Sequence, residues 1–124
     1  MHSIVNIILI IIFDLVWLNL QKQNYDSVIK TIQGKKIDIR IAGAILAYIF
    51  MFIGLKYIIY PAKDILKTST IFGFVVYGIY NATNYAIFKN YSLNIAIKDT
   101  LWGTFVFYIT TWITLKLFRK FKID

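Results

Sequence analysis

Two aspartates, Asp14 and Asp99, and the stretch Tyr77-Gly78-Ile79-Tyr80-Asn81-Ala82-Thr83-Asn84 place carboxylates, carboxamides and phenols inside strongly apolar runs. In hydrocarbon each of these groups costs several kcal/mol if it lacks a hydrogen-bond partner. At helical spacing Gly73, Tyr77, Tyr80 or Asn81, and Asn84 share a face, which must therefore point into protein. Asp14 and Asp99 are the natural partners for it. Three chemistries are open to such a cluster. Two carboxylates and two amide oxygens can hold a hard cation or pass a proton. They can line a pocket for a lipid headgroup or a small polar molecule. Or they can simply bond helix to helix, at about 0.6–2 kcal/mol per bond. The chain has no cysteine, and its one histidine, His2, lies at the N-terminus. Disulfides, thiolate chemistry, cysteine-bound zinc and a histidine-centred triad are thereby excluded. No catalytic residue, dedicated metal site or cofactor is expected.

The elements that must position these groups follow from composition. Of 124 residues 59% are hydrophobic and 18% aromatic, against about 45–50% apolar in a soluble domain. The sequence predicts one all-α transmembrane domain over 1–124, a four-helix bundle running up-down-up-down. Helix 1 is expected from about 3 to 20, helix 2 from 41 to 60, helix 3 from 66 to 88 and helix 4 from 95 to 118, followed by a basic tail at 119–124. Between helices 1 and 2 the segment 21–40 is polar but patterned, with Tyr25, Val28, Ile29 and Ile32 at i, i+3, i+4 and i+7 and Gly34 placed to stop a helix. It reads as a short amphipathic helix on the membrane surface, or as a loop packed on the bundle end. The first apolar run lacks a basic leader and a small-residue cleavage site, so it is expected to be retained.

The net charge of +8, from 14 Lys+Arg and 6 Asp+Glu, sits between and after the apolar runs and forms no stripe. Anionic lipid headgroups are the expected partner, and nucleic acid is not. Four crossings would put both termini on one side. Seven basic residues then fall on each side, so the positive-inside rule leaves the orientation undetermined. Depth is more informative. At about 1.5 Å of rise per residue, Asp14 and Asn81 both lie roughly 10 Å short of the ends of helices 1 and 3, with Asn84 one turn beyond and Asp99 entering at the start of helix 4. These depths predict a polar pocket open to one side, with Tyr77 closing it toward the midplane. Asp99 also suits a helix cap. Trp17 and Trp102 suit an aromatic belt or packing. Asp-x-x-Trp occurs at both 14–17 and 99–102, but opposite directions across the membrane argue against a duplicated repeat.

Asp14-x-x-Trp17-Leu18, Tyr25, Gly73, Tyr77-x-x-Tyr80-Asn81-x-Thr83-Asn84 and Asp99-x-x-Trp102-Gly103-Thr104 together resemble the small membrane proteins grouped as domain of unknown function 2177, found in bacteria and large DNA viruses. The resemblance covers nearly the whole chain. The family's third-helix motif usually reads Tyr-Asp-x-Thr-Asn, and here Asn81 replaces the carboxylate. It implies a multi-pass membrane fold and supports Asp14, Tyr77, Tyr80, Asn81, Thr83, Asn84 and Asp99 as pocket candidates, with Trp17, Tyr25, Trp102 and Gly103 as interface or packing residues. It implies no activity. The expectation is a proton, cation or small polar ligand site. The alternative is a structural or interaction protein of a membrane, virion or virus-induced, in which the cluster only holds helices together. Transport would favour a homo-oligomer, because the threonines of helix 4 are the only polar path onward. An enzyme is not expected.

Overall fold

The computed structural model describes residues 1–33 and 40–121. They form five α-helices: α1 His2–Leu20, α2 Lys22–Gln33, α3 Ile41–Gly54, α4 Ile65–Ile87 and α5 Leu93–Phe121. A π-helical stretch, Leu55–Ile59, extends α3 until Pro61 ends it. Helix starts are set locally. Asp64 caps α4 by accepting from the Lys67 amide at 3.1 Å, and Ser92 Oγ accepts from the Ile95 amide at 3.3 Å at the head of α5. α2 follows α1 after a single residue, Gln21, whose φ of −103° and ψ of 11° bend the path while backbone bonds from Gln21 to Trp17 and from Tyr25 to Gln21 continue the ladder.

α4 and α5 form an antiparallel pair at the centre. Ser69 meets Thr111 and Asn81 meets Asp99. Between them the backbones come close at two glycines. A Cβ on Gly73 would lie 2.6 Å from the Gly103 carbonyl oxygen and 2.8 Å from Phe107 Cβ, and one on Gly103 would enter the Tyr77 ring. α1 lies antiparallel to α5, with Asn6 on Thr110 and Asp14 on Trp102. The α3 segment closes on α1 through Tyr48 to Asp14 and Tyr60 to Asn6. Ile10, Leu55, Ile59, Val106 and Phe107 make an apolar waist. Buried polar residues lie beyond the waist, whereas large apolar side chains such as Ile4, Ile8, Ile12 and Leu15 face outward. That inversion suits lipid, where packing and internal hydrogen bonds hold helices together.

The expected four-helix, up-down-up-down bundle with a surface helix is not what forms. Five α-helices are present among the described residues, and three segments are long and apolar enough to cross a membrane: His2–Leu20, Ile41–Ile59 and Leu93–Phe121. α4 is long enough at 23 residues. It falls outside that set because Lys67, Thr68, Ser69 and Thr70 at its start and Asn81, Thr83 and Asn84 near its end dilute its apolar content. The inference that both termini share a side rested on four crossings, a count that the three clear spans do not support, although the antiparallel packing of α1 on α5 stacks His2 on Phe118. α5 begins two residues earlier than the expected 95 and takes in Arg119 and Lys120 of the basic tail. The Gly34 stop lies outside the described residues, as do Lys122, Ile123 and Asp124.

Candidate functional site

Each carboxylate is the centre of its own set of donors. Asp14 Oδ2 accepts from the Tyr48 hydroxyl at 2.7 Å and the Tyr77 hydroxyl at 3.4 Å, and Oδ1 accepts from Trp102 Nε1 at 3.1 Å. Asp99 Oδ1 accepts from the Tyr25 hydroxyl and Oδ2 from Asn81 Nδ2, both at 2.7 Å. Asn81 is buried. Its Nδ2 also donates to the Tyr77 carbonyl at 2.9 Å, and its Oδ1 accepts from the Tyr91 hydroxyl at 3.0 Å. Every one of these partners is neutral. Asp99 is no cap: it lies two turns inside α5, because Ser92 takes the capping position.

The two Asp-x-x-Trp motifs meet crosswise. Trp102, from the second, donates to the aspartate of the first. Trp17, from the first, donates through Nε1 at 2.9 Å to the Tyr25 hydroxyl, which in turn donates to the aspartate of the second. The two indoles stack, centroids 4.7 Å apart and planes 10° from parallel. Antiparallel packing of α1 on α5 produces this exchange. An Asp and a Trp one turn apart on one helix face their opposite numbers in reversed order on the other. The opposed directions that argue against a repeat are thus what bring the motifs into register.

Between α1, α3 and α4 lies a cavity of about 510 Å³, within the size range of small-ligand sites. Asp14, Asp99, Trp17, Tyr48, Tyr77 and Tyr80 line its polar part, and Phe50, Met51, Phe72 and Val76 its apolar part. Tyr80 is 59% exposed. Thr83 is exposed on α4, and Asn84 faces Tyr91, so neither joins Asp14. Tyr48 was not among the residues singled out from sequence, since a tyrosine in an apolar run reads as a membrane-belt residue. Gly103 contributes by absence of a side chain, which lets the Tyr77 ring lie against α5.

A second polar layer lies across the waist. Asn6 Nδ2 donates to Thr110 Oγ1 at 2.8 Å, and its Oδ1 accepts from the Tyr60 hydroxyl at 2.6 Å and Thr111 Oγ1 at 2.9 Å. Ser69 Oγ bonds Thr111 Oγ1 at 2.6 Å and the Phe107 carbonyl at 3.0 Å. Asn6, Ser69, Thr110 and Thr111 are completely buried. Thr110 and Thr114 bond their own helix backbone, but Thr111 reaches across to α1. The available signal was Asn6 itself, eight residues before Asp14 and so on nearly the same helix face. Among the described residues no buried side-chain polar atom lacks a partner.

Two tyrosines outside the spans, Tyr25 and Tyr60, are held neutral. Burial, then the Asp99 charge and hydrogen bond, push the Tyr25 hydroxyl far above its ordinary 10.0, with the Trp17 N–H opposing. Burial likewise pushes Tyr60 up to about 12 against lowering by the Thr114 and Thr111 hydroxyls. Their contribution to stability is therefore complete below the unfolded value near 10 and is lost as pH rises above it, since only the unfolded chain ionises there. Thermal midpoints in detergent should fall above about pH 10, and Tyr25→Phe should make that fall shallower. An unchanged slope would mean that Tyr25 is not buried beside Asp99.

The chain belongs to the family described as "Predicted membrane protein (DUF2177)", which it matches over residues 1–116. That span contains both carboxylates, both tryptophans of the crossed motifs and all of the second polar layer. No curated protein and no solved structure matches the chain.

Proposed function

We propose that this small multi-pass membrane protein works as an intramembrane binding site for positive charge, a proton or a cation, with Asp14 and Asp99 as the receiving groups. The observation that carries this reading is that both carboxylates line one cavity and that their hydrogen-bond partners are tyrosine, tryptophan and asparagine, with no basic side chain among them. Two carboxylates in a low-dielectric site call for a positive counterpart, which this set of partners does not supply. Neutral donors hold the oxygens in place without cancelling their charge. The role is binding, not turnover. Basic residues beside the spans, among them Lys22, Arg40 and Lys89, and Arg119 in the last turn of α5, serve in this reading to engage anionic headgroups.

The complete pairing of buried polar atoms favours a second reading, in which both layers only fasten helices and the protein is structural. Asp14→Asn separates the two. It keeps the size of the side chain and one acceptor oxygen but removes the charge. Thermal stability in nanodiscs is measured for wild type and Asp14→Asn from about pH 4 to 9. Under the binding reading the two profiles differ in shape across that range. Parallel profiles, offset by a constant, would support the structural reading instead.

A further inference from the structure

The cavity has features that distinguish among cations. A hard metal ion takes six or more oxygen ligands, whereas here the four oxygens of the two aspartates already accept hydrogen bonds, and the Trp102 and Asn81 N–H groups that face them have no lone pair to give a metal. Among the described residues no group of three or more His, Cys, Asp or Glu could hold a metal ion. The aromatic rings of Trp17, Tyr48, Tyr77 and Tyr80 surround the same polar end, an arrangement that attracts organic ammonium groups through the negative faces of the rings. The remaining wall, Phe50, Met51, Phe72 and Val76, is apolar and suits a hydrocarbon chain.

Access is from the side. α3 is a spanning segment, yet Gly54 at its end is its only buried residue, because its first three turns stand off from α4 over the cavity. At the margin Phe50 is 64% and Leu18 41% exposed, both on spans whose outer surfaces meet lipid chains. The volume of about 510 Å³ holds one chain and a small head.

We propose that the cavity takes a single-chain ammonium amphiphile from the surrounding lipid, its positive head between Asp14 and Asp99 and its chain against α3 and α4. This rests on the reading of the two carboxylates as a site for positive charge.

The test uses the whole protein carrying Trp112→Phe, which leaves Trp17 and Trp102, in micelles of an uncharged alkyl maltoside. A long-chain alkylammonium brominated on its chain is titrated in, with the matching alcohol and alkyl sulfate as probes of plain partitioning, and tryptophan quenching is recorded. Saturable quenching by the ammonium, at least about tenfold tighter than by the alcohol and lost to the same degree in Asp14→Asn and Asp99→Asn, is the expected result. Asp64→Asn, which removes a carboxylate at the cap of α4, should leave it unchanged. Equal quenching by ammonium, alcohol and sulfate would overturn the proposal on the wild-type protein alone, whatever the variants do. If that happens while the Asp14→Asn pH profile still departs from wild type, the amphiphile is wrong and the charge site stands. If the profiles are also parallel, both readings fall.

Discussion

Gly103→Ala is expected to destabilise the protein by roughly 3 kcal/mol, although the same change on an exposed helical face would stabilise by about 1 kcal/mol through helix propensity. The added methyl would enter the Tyr77 ring. That ring has little room to retreat, since its hydroxyl bonds Asp14 and its edge packs on Phe107 with centroids 6.3 Å apart. Either α4 and α5 separate or Tyr77 turns out of the Asp14 site, so binding should fall along with stability. Two other glycines supply the contrast. Gly78 would meet only Thr100 Cγ2 at 3.8 Å, and Gly43 would meet nothing within 4 Å; alanine at either should be neutral or stabilising. Equilibrium unfolding in mixed micelles measures all three. A stabilising Gly103→Ala would mean that the two helices are not in contact there.

The second large effect is expected at Asn6. Replacing it with leucine should cost roughly 2–3 kcal/mol, despite the apolar surroundings of α1. The Tyr60 hydroxyl then loses the carboxamide oxygen to which it donates, and Thr111 loses the same acceptor while keeping Ser69 and Tyr60 as neighbours. Much of the loss is the penalty of an orphaned donor, not the worth of a bond, and a double-mutant cycle separates the two. Asn6→Leu combined with Tyr60→Phe should be less destabilised than the sum of the single variants by at least about 1 kcal/mol. Additive losses would show that the two side chains do not meet.

The all-α, multi-pass character was legible because long apolar runs with few breakers leave little choice of structure. The number of crossings was not. The polar residues of α4 that make it interesting chemically also bring its apolar content below that of a clear span, so a count based on run length included it. Asp14, Tyr77, Asn81 and Asp99 stood out because a carboxylate, or a run of amides and phenols, is conspicuous among isoleucines. That this face of α4 meets both aspartates was legible, and Tyr77 goes to Asp14 while Asn81 goes to Asp99; that Asp14 also takes Tyr48 and Trp102 was not. Spacing within a helix fixes a face, but which neighbouring helix meets that face depends on how the helices pack. Tyr48 and Asn6 were hidden for a simpler reason. Each is a single polar residue in an apolar run, and such a residue reads as belt or background until its partner is seen.

Tyr48 and Tyr60 reach α1 from the middle of the chain, but the partners that complete it lie almost the full length away: Asn6 bonds a threonine 104 residues later, and Asp14 a tryptophan 88 residues later. α1 is therefore synthesised before α5 and completed only when α5 arrives. At roughly 5–20 residues per second of translation, its carboxylate and carboxamide wait about 5–20 s for α5 to emerge. During that interval an isolated α1 would carry both groups into the bilayer without their final partners, at a cost that favours holding it at the interface or in the translocation machinery. Insertion of the first helix is thus tied to arrival of the last, and a ribosome stalled before α5 should leave α1 more accessible to water-borne reagents than the finished protein does.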